Sequence, residues 1–80
     1  MPYIPEDRRM NIILGEDVTN NPGELCFAIY EHMVSYGRRH DATFETLNAI
    51  IGAAENAKLE FYRRHVAPYE DIKREQNGDV

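Results

Sequence analysis

Apolar positions along this chain recur at helical spacing, three and four residues apart, and rarely alternate as a strand would require. From Pro5 to Leu14, Met10, Ile13 and Leu14 form a stripe at i, i+3 and i+4. Pro5-Glu6-Asp7 opens that segment with a rigid φ and two acids where a helix N-terminus favours them, and Gly15 is a stop. A helix this short is marginal in isolation and needs docking. Residues 15–23 have loop composition, and their end doubles as a start signal. Asn21 is suited to cap the next helix, Pro22 to its first position, and Glu24 to an Asn-x-x-Glu variant of the capping box. Leu25, Cys26, Ile29, Met33 and Tyr36 then advance at helical spacing toward Gly37-Arg38-Arg39, where two cations complement the carbonyl end.

A short connection, His40-Asp41, precedes the longest segment, with Asp41 as its expected N-cap. Phe44, Leu47, Ile51, Ala54, Lys58, Phe61, Tyr62 and His65 carry its stripe, widened by Ile50 and Ala57. Two amphipathic helices joined by so short a link predict an antiparallel hairpin. Gly52-Ala53-Ala54 offers little bulk in mid-helix, which points to close approach of another backbone. Pro68 is expected to break or kink the segment and to push Ala67 out of the α region. A short fourth helix over about residues 68–76, set at an angle and closed by Asn77-Gly78, follows. The expected fold is all-α: one domain over residues 1–80, a helical hairpin with a short helix at each end, assembled as a homo-oligomer.

Composition supplies the reason for the oligomer. Eighty residues bury only about 60–65% of the surface their unfolded chain exposes, less than a larger domain does, so self-association is the cheapest added support. Nine Lys and Arg stand against fourteen Asp and Glu, a net charge of −5 that disfavours duplex DNA as a partner. One cysteine, Cys26, excludes an intrachain disulfide and suits a reducing compartment. No apolar run is long enough to span a bilayer, and Met1–Asp7 has neither a basic nor an apolar leader region, so a cytoplasmic protein away from membranes is expected.

Catalytic chemistry has little to stand on. His32, His40 and His65 lie on three segments without metal-ligand spacing, so no metal and no cofactor are expected. Cys26 on an apolar stripe reads as a small hydrophobe before it reads as a nucleophile. Glu6, Asp7, Glu24, Asp41, Glu45, Glu70 and Asp71 fall at helix starts, where the dipole accounts for them. No phosphate loop or nucleophile elbow is present, and the protein is not expected to be an enzyme.

One concentrated feature remains: Lys58-Leu59-Glu60-Phe61-Tyr62-Arg63-Arg64-His65, followed by Pro68-Tyr69, which carries +2 in a chain of −5. Read plainly, it is a solvated helix face with Glu60 balancing Arg64. Read functionally, Arg63 and Arg64 fork onto a phosphate, Tyr62 and Tyr69 stack a base, and Lys58 and His65 assist. Arg38 and Arg39 join if a hairpin partner or a neighbouring subunit brings them near.

The run from Lys58 to Arg64, then Ala67-Pro68-Tyr69-Glu70-Asp71 and Asn77-Gly78-Asp79-Val80, resembles the C-terminal signature of a family of small, functionally uncharacterised proteins of tailed phages and bacteria. Asn21-Pro22-Gly23-Glu24-Leu25 and Leu47-Asn48-Ala49-Ile50-Ile51-Gly52 are similar to its middle portion, while the first segment is shorter and less charged than is typical there. The resemblance implies a helical protein of phage or prophage origin and supplies no catalytic residue. By analogy of size and helix content, it points to an oligomeric sponge that sequesters a nucleotide second messenger of antiphage defence. The competing expectation is an acidic inhibitor or DNA mimic that binds a host protein through Glu6, Asp7, Glu16, Asp17, Glu70, Asp71 and Asp79.

Overall fold

The computed structural model describes residues 3–15 and 18–80. Every regular element among them is helical: α1 (Glu6–Leu14), α2 (Pro22–Arg39), α3 (Phe44–Phe61), a π-helical turn (Tyr62–Val66) and α4 (Ala67–Asn77). They divide into two compact units, Met1–Leu47 and Asn48–Val80. Glu16 and Asp17 of the expected acidic surface, and Met1 and Pro2, lie outside the described residues.

In the first unit, local chemistry sets the helix ends. Pro5 precedes α1 with extended ψ, Glu6 and Asp7 occupy the first turn, and Gly15 ends the helix at φ 70°. That left-handed conformation costs glycine nothing and would strain any other residue. The Asn21 side chain accepts the Glu24 N–H at 2.9 Å, capping α2 with Pro22 at its first turn. The cap of α3 is Thr43, not Asp41. The Thr43 hydroxyl accepts the Thr46 N–H at 3.2 Å and its carbonyl accepts the Leu47 N–H at 2.9 Å, while Asp41 accepts the Thr43 N–H through its backbone. A hydroxyl three residues ahead of the N–H it receives has the geometry a cap requires.

α1 packs on α2, through faces other than the most apolar ones. Met10, Ile13 and Leu14 stay exposed, while Arg8, Asn11 and Ile12 are half-buried. On α2, Glu24 and Phe27 are buried, and Ala28, Glu31, Val34 and Ser35 continue the same face at helical spacing, half-buried. Of the stripe expected to turn inward, Leu25, Cys26, Ile29 and Tyr36 are exposed and Met33 is half-buried. Arg8 is the cause. Its guanidinium reaches across the loop to both Glu24 carboxylate oxygens, at 2.9 and 2.6 Å, and to the Val18 carbonyl at 3.0 Å. The Asn20 N–H completes the set at 3.0 Å. Burying this forked, fully hydrogen-bonded pair turns the α2 face that carries Phe27 toward α1.

The second unit is one unbroken helix from the body of α3 through the π turn to the end of α4. The break expected at Pro68 does not occur. Ala67 keeps α dihedrals (φ −60°, ψ −45°), and Pro68 sits in the first turn of α4. Proline lacks an N–H, and its ring crowds the carbonyl four residues back, that of Arg64. A wider turn just before it relieves the conflict: the Ala67 N–H bonds to the Tyr62 carbonyl, five residues back. Gly78 ends α4, its N–H on the Arg74 carbonyl at 2.8 Å. A methyl group built onto Gly52 would meet no other described residue within 4 Å, so the close approach expected there is not made at Gly52 itself.

Candidate functional site

The π turn coincides with the cationic and aromatic cluster. π turns are rare, appear mostly as single turns within α-helices, and often mark functional sites. Here Tyr62, Arg63, Arg64 and His65 form the turn itself, with Lys58 one turn before it and Tyr69 one turn after.

One carboxylate serves two guanidiniums. Arg63 donates to Glu60 Oε1 at 2.6 Å, and Arg64 Nε donates to the same oxygen. The two guanidiniums, Arg64 first, hold the Glu60 carboxyl below its ordinary range against a small desolvation penalty. Since one negative charge faces two positive ones, the group keeps a net positive charge at neutral pH. Lys58 pairs with Glu55 at 3.0 Å on the preceding turn. All of these side chains are well exposed, so the pairs orient the cations more than they stabilise the helix.

Tyr62 points the other way along the helix. Its hydroxyl donates to Glu70 Oε1 at 3.1 Å. That hydrogen bond, and the nearby charges of Glu70 and Asp71, raise the phenol pKa above its usual value. The contact spans eight residues. In a regular α-helix residues seven apart align, whereas an eighth lies about 80° off the line. The extra residue in the π turn removes that offset, so Tyr62–Glu70 is a strap across it. His65 lies 4.8 Å, centroid to centroid, from Phe61. Lys73 sits 5.6 Å over the Tyr69 ring, a cation–π pair.

An open hollow of about 510 Å³ beside the C-terminal turn is lined by Tyr69, Lys73 and Arg74 and equally by the acidic residues Glu70, Asp71 and Asp79. Lys73 was missed by sequence reasoning; its i+4 spacing from Tyr69 is the signal that links the two. The structure therefore gathers Lys58, Tyr62, Arg63, Arg64, His65 and Tyr69 along one helical segment. Arg38 and Arg39 belong to the other unit, where Arg38 lies 4.0 Å from Glu31 and Arg39 donates to Ser35 at 2.8 Å. Of the remaining histidines, His40 stacks on Tyr36 at 4.2 Å and His32 is exposed. Among the described residues no three His, Cys, Asp or Glu side chains gather as a metal-ligand set, and no helix is long and apolar enough to cross a membrane.

Comparison with known proteins adds one match. A family model described as a domain of unknown function, DUF6899, covers residues 1–80. No curated protein and no solved structure matches the chain.

Proposed function

The chain belongs to the DUF6899 family, and from that premise we propose that it works as a homo-oligomer that binds a small phosphate-bearing anion and releases it unchanged. The ligand class is a nucleotide second messenger, and the setting is an anti-defence role proposed by analogy of size and helix content for a protein whose C-terminal signature resembles that of phage and bacterial proteins. The observation that carries this reading is the shared carboxylate: Arg63 and Arg64 both donate to Glu60, oriented and undercompensated, on a π turn flanked by Tyr62 and Tyr69. Both guanidiniums crowd onto one Glu60 oxygen, whereas a phosphate offers several and accepts both forks together. Tyr62 and Tyr69 supply ring faces for a base, and Lys58 and His65 extend the positive edge. The antiparallel pairing of α2 with α3 belongs to the same proposal, with Arg38 and Arg39 contributed at a subunit boundary. Support for assembly comes from the exposed apolar side chains on α2 and α3, among them Leu25, Ile29, Leu47, Ile51 and Phe61.

Calorimetry against cyclic mononucleotides, cyclic dinucleotides and ADP-ribose derivatives tests it. One class should bind, and chromatography of the denatured complex should return it intact. Replacing Arg63 and Arg64 together by alanine should abolish binding, whereas Glu60→Gln should tighten it by removing the internal competitor. Absence of heat with every nucleotide overturns the proposal. Capture of one host protein in a salt-sensitive, stoichiometric complex would move the function to the inhibitor reading.

A further inference from the structure

Glu70 places a carboxylate within a cationic and aromatic cluster, and the helix-start explanation for it lapses in the structure. Val66 (φ −85°, ψ −49°) and Ala67 (φ −60°, ψ −45°) keep helical dihedrals, so the chain runs from the π turn into α4 without a free N-terminus at Pro68. What Glu70 does hold is the Tyr62 hydroxyl, at 3.1 Å.

Pro68 leaves the phase of α4 open. It has no N–H for the Arg64 carbonyl, so a helix passes it in one of two ways: on a regular turn with that bond missing, or with one residue inserted as a π turn. The structure takes the second, with the Ala67 N–H on the Tyr62 carbonyl. Side chains separate the two courses. On a regular turn Tyr62 and Glu70 stand about 80° apart around the helix; an inserted residue turns everything beyond it back by about 100° and leaves them about 20° apart. Their hydrogen bond therefore forms on the π course alone, and an ionised acceptor makes it the stronger, charge-assisted kind. The Arg63 and Arg64 pairs with Glu60 do not share this work, because they reach back three and four residues and suit either course.

The same rephasing carries Tyr69. It lies eight residues beyond Phe61, so the π turn brings it toward the line of Phe61 just as it brings Glu70 toward Tyr62. On a regular helix Tyr69 would stand about 140° around from Arg64, and the wider turn removes a large part of that angle. Contacts along this line are Phe61 against His65 at 4.8 Å and Lys73 over the Tyr69 ring at 5.6 Å. The phase of α4 thus decides which side of the helix the Tyr69 ring takes relative to Arg64.

We infer that Glu70 is a positioning residue of the site: by holding the Tyr62 hydroxyl it keeps the π turn, and the π turn presents Tyr69 to the base of a nucleotide whose phosphate lies on Arg63 and Arg64. The role in binding rests on the proposed function. The control of helix phase does not, and it is read without a ligand.

The experiment compares Tyr62→Phe, Glu70→Ala and Glu70→Gln in the full chain, with circular dichroism to verify helicity. Tyr62→Phe keeps the ring and deletes the hydroxyl. Glu70→Ala and Glu70→Gln remove the same charge, but glutamine retains an acceptor oxygen. Through-hydrogen-bond coupling in NMR spectra should join the Ala67 amide to the Tyr62 carbonyl in the wild type and in Glu70→Gln. In Tyr62→Phe and Glu70→Ala it should shift toward the Arg63 carbonyl, the partner on a regular turn. Affinity is then read with ADP-ribose, cyclic AMP and cyclic di-AMP, and with inorganic phosphate as the probe that has no base. The nucleotide bound best by the wild type should bind roughly tenfold more weakly to Tyr62→Phe and to Glu70→Ala. Glu70→Gln should retain its affinity, and Tyr62→Phe should hold inorganic phosphate as well as the wild type does. Coupling that stays on Tyr62 in all three variants overturns the control of phase. Coupling that moves without loss of nucleotide affinity overturns the positioning role and leaves the proposed function standing. Equal losses of nucleotide and inorganic phosphate place the effect on the cations and overturn that role too. A wild type that binds none of the three nucleotides overturns the proposed function and the positioning role together, while the coupling still decides the phase.

Discussion

Arginine–glutamate contacts occur in both units and do different work in each. In the first, Arg8 and Glu24 lie sixteen residues apart, and the acceptor is buried with its oxygens also bound by the Asn20 N–H. In the second, Arg63 and Arg64 reach Glu60 three and four residues back on the same exposed helix. The first contact decides which face of α2 meets α1. The second decides nothing about the fold, because a helix surface holds such pairs whether or not it packs. The same two functional groups thus form a tertiary latch in one unit and an oriented, exchangeable cation pair in the other, and burial with backbone hydrogen bonds separates the cases.

Three perturbations sharpen that contrast. The largest effect is expected from Phe27→Ala, which empties the buried apolar position beside the latch; chemical denaturation should show a loss of about 3 kcal/mol. The same substitution should leave amide protection across residues 62–77 unchanged, and equal loss there would show that the units unfold as one.

Acid titration comes next. Arg8, the Asn20 N–H and a favourable Coulomb contribution lower the Glu24 carboxyl from 4.5 to about 2, against a desolvation penalty. Because the folded value is depressed, the stabilisation is complete above the unfolded value of 4.5 and is lost as pH falls through about 2. Amide protection in α1, taken against the intrinsic exchange rate at each pH, should therefore hold down to about pH 4 and fall below it, and Glu24→Gln should show low protection in α1 at every pH. Slow α1 exchange in that variant would remove the latch from the account.

The smallest effect belongs to Glu60→Gln. Its exposed pairs contribute orientation, so the melting temperature should shift by no more than a degree or two, even as anion binding tightens. A large destabilisation would make the cluster structural and count against the site.

Much of the helical framework was legible in the residues. Gly15, Asn21, Pro22 and Gly78 mark ends by interactions within one turn, and such interactions are written in consecutive positions. Thr43 was missed as the cap of α3 because Asp41 is an equally good capping residue, and only backbone geometry chooses between them. The candidate site was legible as a list, since Lys58 to Tyr69 lie on one stretch of helix. Its geometry was not: the sharing of Glu60, the Tyr62–Glu70 strap and the Lys73–Tyr69 stack depend on the phase of the helix, which the π turn changes.

What the sequence by itself determined is therefore the all-helical character, the ends of α1, the start of α2, the end of α4 and the uneven charge, each a consequence of propensities and contacts across three or four residues. Tertiary structure decided which faces are used. Periodicity favoured Leu25, Ile29 and Tyr36 as the inward side of α2, but a forked ion pair sixteen residues apart turned Glu24 and Phe27 inward instead. Local backbone geometry, and not packing, decided that Pro68 does not end a helix. Proline forbids one hydrogen bond, and the backbone keeps its helical course by widening a single turn to do without it.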